Sequence, residues 1–251
     1  MENGNKYQMK KDFNRILING CSHSAGSEIE ASGMGESVFN RENCFGAHLA
    51  KMLKVNKVNL AQPGGSNDYI ADSTMLWCLE HLELVKNTFF LIHWTSAERT
   101  DFYTNSYNSP KSQDWVFDSN FGHIHPEYHC PNFPKEDLAY VKQLTKYLFI
   151  SETHWEINRL LNIIKTQALL KSLGAKYAFY NSFDPLIKSK RYQKYHQLID
   201  ENTYHKPFKQ NQSFYYWAID KGHNIEGQVF WHHKLPAHTA YAKKLFLELF
   251  T

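Results

Sequence analysis

The sequence predicts an α/β protein of three layers, α/β/α, built on a central parallel sheet, and three observations point to it. Short apolar runs alternate with helical patterns three times before Thr100, and parallel neighbours need such crossover helices. The run Thr88–Trp94 is rich in β-formers and apolar along its length, as expected for a strand covered on both faces. A length of 251 residues, with 42% hydrophobic and 21% charged side chains, suits one domain spanning residues 1–251 with a substantial buried core.

The elements follow in order. Ile16-Leu17-Ile18 stops at Asn19-Gly20, a strand ending in a turn. Phe45–Leu53 reads as a helix and Val55–Ala61 as a second strand, closed by Pro63-Gly64-Gly65. Asn67 or Asp68 then caps a helix carrying Ile70, Met75, Leu76, Leu79, Leu82 and Leu84. Beyond the third strand, Thr100–Pro134 lapses into Asn, Ser, Pro and aromatic residues. Such a length is uncommon for an idle loop, so residues 100–135 are expected to be an aromatic-rich insertion over the sheet's active edge. Helical periodicity returns at Glu136–Leu148 and Glu152–Leu173, which Gly174 ends. Tyr177–Tyr180 is a fourth strand. A basic helix near Pro185–Ile199, a polar aromatic connection, a short strand at Gln228–Phe230 and a last helix over Pro236–Phe250 complete the chain.

The formal charge of +3 is too small to imply a nucleic-acid partner. Lys188, Lys190, Arg191, Lys194, Lys206 and Lys209 form one basic stretch, read as a solvated face. Cys21, Cys44, Cys78 and Cys130 lack paired spacing, so reduced thiols are expected. Met1–Phe13 is polar and lysine-rich, and no apolar run approaches membrane-spanning length. The expectation is a cytoplasmic protein without a membrane partner. No cofactor is implied. His123, His125, His129 and Cys130 carry zinc-binding groups, but Pro126 and Pro131 interrupt the spacing usual in zinc sites, and fourteen histidines make chance clustering easy. No metal is therefore assigned.

In an open parallel sheet ligands collect beyond the carboxyl ends of the strands. After the first strand stands Gly20-Cys21-Ser22-His23-Ser24-Ala25-Gly26, a glycine-flanked turn exposing a serine hydroxyl at a helix entrance. Such a serine attacks a carbonyl if a base removes its proton; Ser22 or Ser24 equally suits a helix cap. After the second strand, Asn59 leads to Gly64-Gly65-Ser66-Asn67, where bare backbone N–H groups and the Asn67 amide suit a bound oxygen, though Asn67 also suits a cap or turn. Near the end, His232-His233-Lys234-Leu235-Pro236-Ala237-His238 precedes an apolar helix, placing a histidine to reach back to the first turn.

The order of these pieces resembles the SGNH, or GDSL-like, hydrolase superfamily along nearly the whole chain. Gly20-Cys21-Ser22-His23-Ser24 matches its first block with Cys21 in place of aspartate. The resemblance makes Ser22 the nucleophile and its N–H an oxyanion donor. Asn59 and Gly64 match the second block, and Gly64 N–H becomes the second donor. The last block, read back from Ala242, selects His232 as the base. It implies a flavodoxin-like α/β/α fold. Two departures stand out. Trp94-Thr95-Ser96-Ala97-Glu98-Arg99 replaces the third block, so Ser96 falls where an oxyanion asparagine is usual and Asn67 is expected to substitute. Val229 occupies the position of the aspartate that usually orients the histidine. The expectation is a Ser-His dyad, with a backbone carbonyl holding the imidazole. The wording of the blocks resembles a branch of the superfamily found in phage and bacterial genomes.

Two functions follow. The first is a serine esterase, acetylesterase-like, acting on a carbohydrate or other small acylated substrate, with Ser96, Arg99 and His233 as further substrate contacts and the aromatic insertion as lid or stacking wall. For Arg99 a salt bridge with Glu98 or Asp101 is the competing role. The second function is a binding protein that kept the fold without catalysis, suggested by the missing aspartate. The residues do not specify the oligomeric state.

Overall fold

The computed structural model describes residues 10–30, 37–103, 121–124, 152–223 and 232–251. The first part of the chain forms β1 (Arg15–Asn19), α1 (Ser22–Ala25), α2 (Val38–Asn43), α3 (Phe45–Leu53), β2 (Asn56–Asn59), α4 (Asn67–Glu80), α5 (Leu82–Val85) and β3 (Thr88–Trp94). Then come β4 (Thr100–Tyr103), β5 (Phe121–Ile124), α6 (Glu152–Ser172), β6 (Lys176–Asn181), α7 (Gln193–His196), α8 (Phe214–Asp220) and α9 (Leu235–Phe250).

Four strands form one parallel sheet in the order β2-β1-β3-β6. The chain moves from β1 outward to β2, then crosses back to β3 on the other side of β1. This is the flavodoxin-like arrangement, in which the reversal opens a crevice beyond the carboxyl ends of β1 and β3. The α/β/α architecture expected from the alternation of elements is the one observed.

The two-residue period of the strands builds the two faces. Ile16, Ile18, Phe89 and Leu91 join a core with Leu49 and Leu53 of α3 and Tyr241, Leu245 and Leu249 of α9. Leu17, Phe90 and Ile92 point the other way, onto Ile70 and Trp77 of α4 and Leu160 and Ile163 of α6. Every residue of β3 is buried. Each large apolar side chain removed from water in this way contributes about 1.5–3 kcal/mol.

Some elements differ from expectation for identifiable reasons. The cap of α4 is Ser66, whose hydroxyl accepts from the N–H groups of Asp68 and Tyr69 at 3.1 and 3.2 Å; Asn67 is turned elsewhere. The buried stripe of α4 runs through Ile70, Ser73, Thr74, Trp77 and Cys78, while Met75, Leu79 and Leu82 are exposed. The basic stretch carries only a 3-10 turn at Lys190–Tyr192 and the single turn α7. The segment before it has other partners for its backbone. Ile187 N–H donates to Glu156 Oε1 at 2.9 Å, Leu186 N–H to the Pro207 carbonyl at 2.8 Å, and Arg159 Nη2 to the Pro185 carbonyl at 2.9 Å. A helix there would break all three. The polar aromatic connection contains α8, a helix that buries Phe214, Trp217 and Ala218. Lys188, Lys190, Arg191, Lys194, Lys206 and Lys209 are exposed, as a solvated face requires.

Within the expected insertion, β4 and β5 pair antiparallel. The side chains of that insertion lie outside the described residues, as do the helix at Glu136–Leu148 and the strand at Gln228–Phe230. Cys21, Cys44 and Cys78 are free, buried thiols, and Cys130 lies outside the described residues. Among the described residues, no helix is long and apolar enough to cross a membrane.

Candidate functional site

The site assembles where β1, β2, β3 and β6 end. At the exit of β1, buried Asn19 ties the turn to α4. Its Nδ2 donates to Ser73 Oγ and Thr74 Oγ1, both at 2.9 Å, and to the Ile70 carbonyl at 3.1 Å, while its Oδ1 accepts from Gly20 N–H at 2.8 Å. Ser73 and Thr74 direct their own protons to the carbonyls of Tyr69 and Ile70, which leaves their lone pairs facing Asn19. Gly20 has φ +154°, and a Cβ there would lie 2.3 Å from Ser24 Oγ. Only glycine permits this turn. It delivers Ser22 to the first position of α1, with Cys21 as cap and left-handed Gly26, φ +84°, closing the helix.

The loop after β2 runs beside this turn. Leu60 N–H donates to the Ile18 carbonyl at 2.8 Å and Gln62 N–H to that of Gly20 at 3.1 Å. Asn59 braces it: Oδ1 accepts from Ala61 N–H at 3.0 Å, and the Asn59 carbonyl accepts from Arg41 Nη1 at 3.1 Å. Gly65 N–H turns back onto the Gln62 carbonyl at 3.0 Å. Gly64 lies exposed, with φ +81°.

Asn67 is buried, and its amide is engaged on both sides. Nδ2 donates to the carbonyls of Ser96 and Thr95 at 3.0 and 3.4 Å, and Oδ1 accepts from Thr95 N–H at 3.0 Å. The expected oxyanion amide therefore spans the gap to the loop after β3 and fixes Ser96, a buried residue 6% exposed.

His232 stands just before α9. Its Nδ1 lies 2.8 Å from Oε2 of Glu28, and both side chains are almost wholly buried. A carboxylate only accepts hydrogen bonds, so Nδ1 carries the proton and Nε2 keeps its lone pair. Here the structure corrects the expectation of a backbone carbonyl behind the imidazole: the partner is an acid, reached from the opposite end of the chain. Val229 lies outside the described residues. Glu28 has φ +60°, in the left-handed region that a residue with a Cβ enters at a cost. Strain of this kind persists where the surroundings impose it and collects at functional sites. Lys234 Nζ donates to the Glu28 carbonyl at 2.9 Å and fastens the same segment to the approach of α9.

The imidazole of His23, next to Ser22, packs 5.0 Å from that of His232 and 4.5 Å from the Phe183 ring. Both of its nitrogens are buried without hydrogen-bond partners. Burial, then the neighbouring His232, push it well below the ordinary imidazole range. His232 is also lowered, chiefly by burial, with Glu28 opposing the shift and Arg99 reinforcing it. Both rings are neutral at neutral pH. Among the described residues neither Ser22 Oγ nor His232 Nε2 has a hydrogen-bond partner, and both residues are 5% exposed.

His233 sits deeper. It is fully buried, Nε2 donates to the Tyr215 carbonyl at 3.2 Å, and burial pushes it down to about 4. Arg99, in the loop after β3, stacks 5.0 Å from the centre of the Phe183 ring. Burial raises the neighbouring Glu98, and the Arg99 charge opposes that shift; the Asp101 side chain lies outside the described residues. The described residues hold no cluster of three or more metal-binding groups. Of the zinc-binding types noted in the sequence, the His123 side chain and all of His125, His129 and Cys130 lie outside them.

Glu28 is the functional candidate that sequence reading passed over. The signal was an acid two residues after the glycine that closes the serine turn, but nothing local ties that acid to a histidine near the other terminus.

Fold and site together define an α/β/α protein of flavodoxin-like strand order, with a serine turn, a carboxylate-bound histidine and a bare glycine loop at one edge of the sheet. Residues 28–202 match a family of unknown function, DUF6071, and the chain belongs to that family. No curated protein is recognisably similar in sequence. Among solved structures, the chain is similar to TesA at 12% identity and TM-score 0.48, over 93% of this chain and 97% of that one. It is also similar to the psychrotrophic esterase EstA from Pseudoalteromonas sp., inhibited by monoethylphosphonate, at 12% identity and TM-score 0.47, over 94% and 96% of the two chains. A carbohydrate esterase with divergent catalytic and non-catalytic binding functions is similar at 11% identity and TM-score 0.44, over 95% of this chain and 68% of that one.

Proposed function

We propose that the protein is a serine ester hydrolase acting on a small-molecule or carbohydrate ester, with Ser22, His232 and Glu28 as its triad. Ser22 Oγ attacks the acyl carbonyl as His232 Nε2 takes its proton. The tetrahedral oxyanion is held by the N–H groups of Ser22 and Gly64, with Ser96 lining the same edge and Asn67 positioning it. The imidazolium then returns the proton to the departing alcohol. Water attacks the acyl-serine with His232 again as base, releasing the carboxylic acid and restoring Ser22. Glu28 holds the Nδ1 proton throughout and stabilises the imidazolium, the role the acid plays in serine triads generally.

The observation that carries this reading is the 2.8 Å bond between Glu28 Oε2 and His232 Nδ1, made by a residue held in a left-handed backbone conformation. It fixes the tautomer whose free nitrogen is the base. Absence of a Ser22–imidazole bond without substrate is compatible with the scheme, since such bonds often tighten only in the substrate complex. A fluorophosphonate probe should form an adduct located on Ser22 by peptide mass spectrometry, and Ser22→Ala should abolish both the adduct and the hydrolysis of aryl acetates. A protein that binds without catalysis would show neither adduct nor turnover, and that result would remove the esterase assignment.

A further inference from the structure

Arg99 follows the end of β3, where the loop turns along the edge of the site. Its Nε and Nη1 are shielded from solvent and have no hydrogen-bond partner. Shielded N–H groups left without an acceptor are costly, and proteins ordinarily pair them. The adjacent Glu98 carboxylate feels the Arg99 charge, but neither of these two nitrogens meets a hydrogen-bond acceptor. The group is nevertheless held in place, because Phe183 covers one face at 5.0 Å, and Nη2 is not among the shielded nitrogens. The N–H edge is the one by which arginine grips carboxylate or phosphate.

The position relates directly to the reacting groups. Phe183 contacts the His23 ring at 4.5 Å, and His23 contacts the His232 ring at 5.0 Å. The Arg99 charge contributes to lowering both imidazoles, so the three share one electrostatic environment. We infer that Arg99 anchors a negatively charged group, carboxylate or phosphate, on the substrate, so that the site selects anionic esters. The inference rests on the Ser22 hydrolase reading and names its substrate class. A neutral ester offers the half-buried guanidinium no anion; an anionic ester does, and gains a charge-assisted contact.

The test compares 4-methylumbelliferyl hemiglutarate with the neutral valerate ester on the full chain. The wild type should favour the charged ester by about 10–100-fold in kcat/KM, the size of one charge-assisted hydrogen bond set. Arg99→Gln should bring that ratio close to one, and Arg99→Lys should restore part of it, with thermal melts checking that each variant is folded. Glutarate and inorganic phosphate, tried separately as competitive inhibitors of valerate hydrolysis, identify which anion the site takes. A wild-type ratio near one, or equal losses on both esters in Arg99→Gln, overturns the inference. If neither ester turns over and Ser22 takes no fluorophosphonate, the hydrolase reading fails by itself. Calorimetric binding of glutarate and phosphate then decides the Arg99 site separately: binding lost in Arg99→Gln supports it, and no binding to the wild type removes it.

Discussion

Glu28 and His232 stand 204 positions apart in the chain, yet their side chains meet at 2.8 Å in a buried contact. The serine turn and the acid belong to one short segment, because Ser27 N–H folds back onto the Ser22 carbonyl at 2.9 Å. One local structure therefore carries both the serine and the acid, and the imidazole comes from the far end of the chain. Packing of α9 against α3 brings it there.

Replacing Glu28 by Gln keeps the size of the side chain and removes its charge. The imidazolium formed during attack then loses its stabilising partner, and the amide can bind either tautomer. The expected loss in kcat is about 10²–10⁴-fold, with KM little changed, by analogy with the acid of serine triads. Steady-state kinetics on an aryl acetate measures it. An unchanged kcat would mean that Glu28 only supports the fold.

The pH profile follows from the same pair. His232 must be neutral to act as base, and burial holds it below 6.5. The acidic limb of kcat/KM should accordingly have its inflection below that value. Glu28 works against the shift, so Glu28→Gln should move the inflection further down; Arg99 works with it, so Arg99→Gln should move it up. Initial rates across the acidic range give both directions, and inflections that stay fixed in both variants would exclude His232 as the group responsible.

The alternation of strands and helices was legible because the central strands are buried on both faces and read as mostly apolar runs; Thr88–Trp94 is the clearest case. The region of the site was legible through the glycine-bounded turn at Ser22 and the histidine before the last helix. Two kinds of feature were not. Asn67 reads as a cap or an oxyanion donor because short polar residues suit both, and its true partners, Thr95 and Ser96, are contributed by the loop after β3. Glu28 reads as a surface acid in a polar loop. Its role depends on long-range packing, which no local spacing encodes. The helix Phe214–Asp220 escaped notice for a related reason, since its buried residues fill one short turn amid polar neighbours.

Acid should destabilise the fold through histidines other than His232. Burial lowers His93 to about 3 and His233 to about 4, and both are fully buried. Above the unfolded value of 6.5 these rings are neutral in both states and contribute nothing to the pH dependence. Below it the unfolded chain binds protons that the folded chain refuses, so stability falls with pH until the folded values are reached. At about pH 5 each ring costs about 2 kcal/mol by this linkage. Urea unfolding at neutral and mildly acidic pH should show the decline, and His93→Phe should flatten it in proportion. A flat profile for the wild type would contradict the neutral, buried state of these rings.

Asn67→Ala separates a positioning role from direct oxyanion contact. The side chain carries three bonds to the loop after β3, so its removal leaves the Thr95 N–H and the Ser96 carbonyl buried without partners. An orphaned buried polar group costs about 1–3 kcal/mol, which for a chain of this size lowers Tm by roughly 2–10 °C. A direct donor would behave otherwise: kcat would fall by about 10²–10³-fold with little change in Tm. The expected outcome is the first pattern, a clear drop in Tm with a smaller kinetic effect caused by displacement of Ser96. Asn67→Asp should resemble it, because the carboxylate can still accept from Thr95 N–H but presents no proton to the Ser96 carbonyl. A melt unchanged from wild type, together with a large loss in kcat, would return Asn67 to the oxyanion hole and require its amide to swing away from the loop when substrate binds.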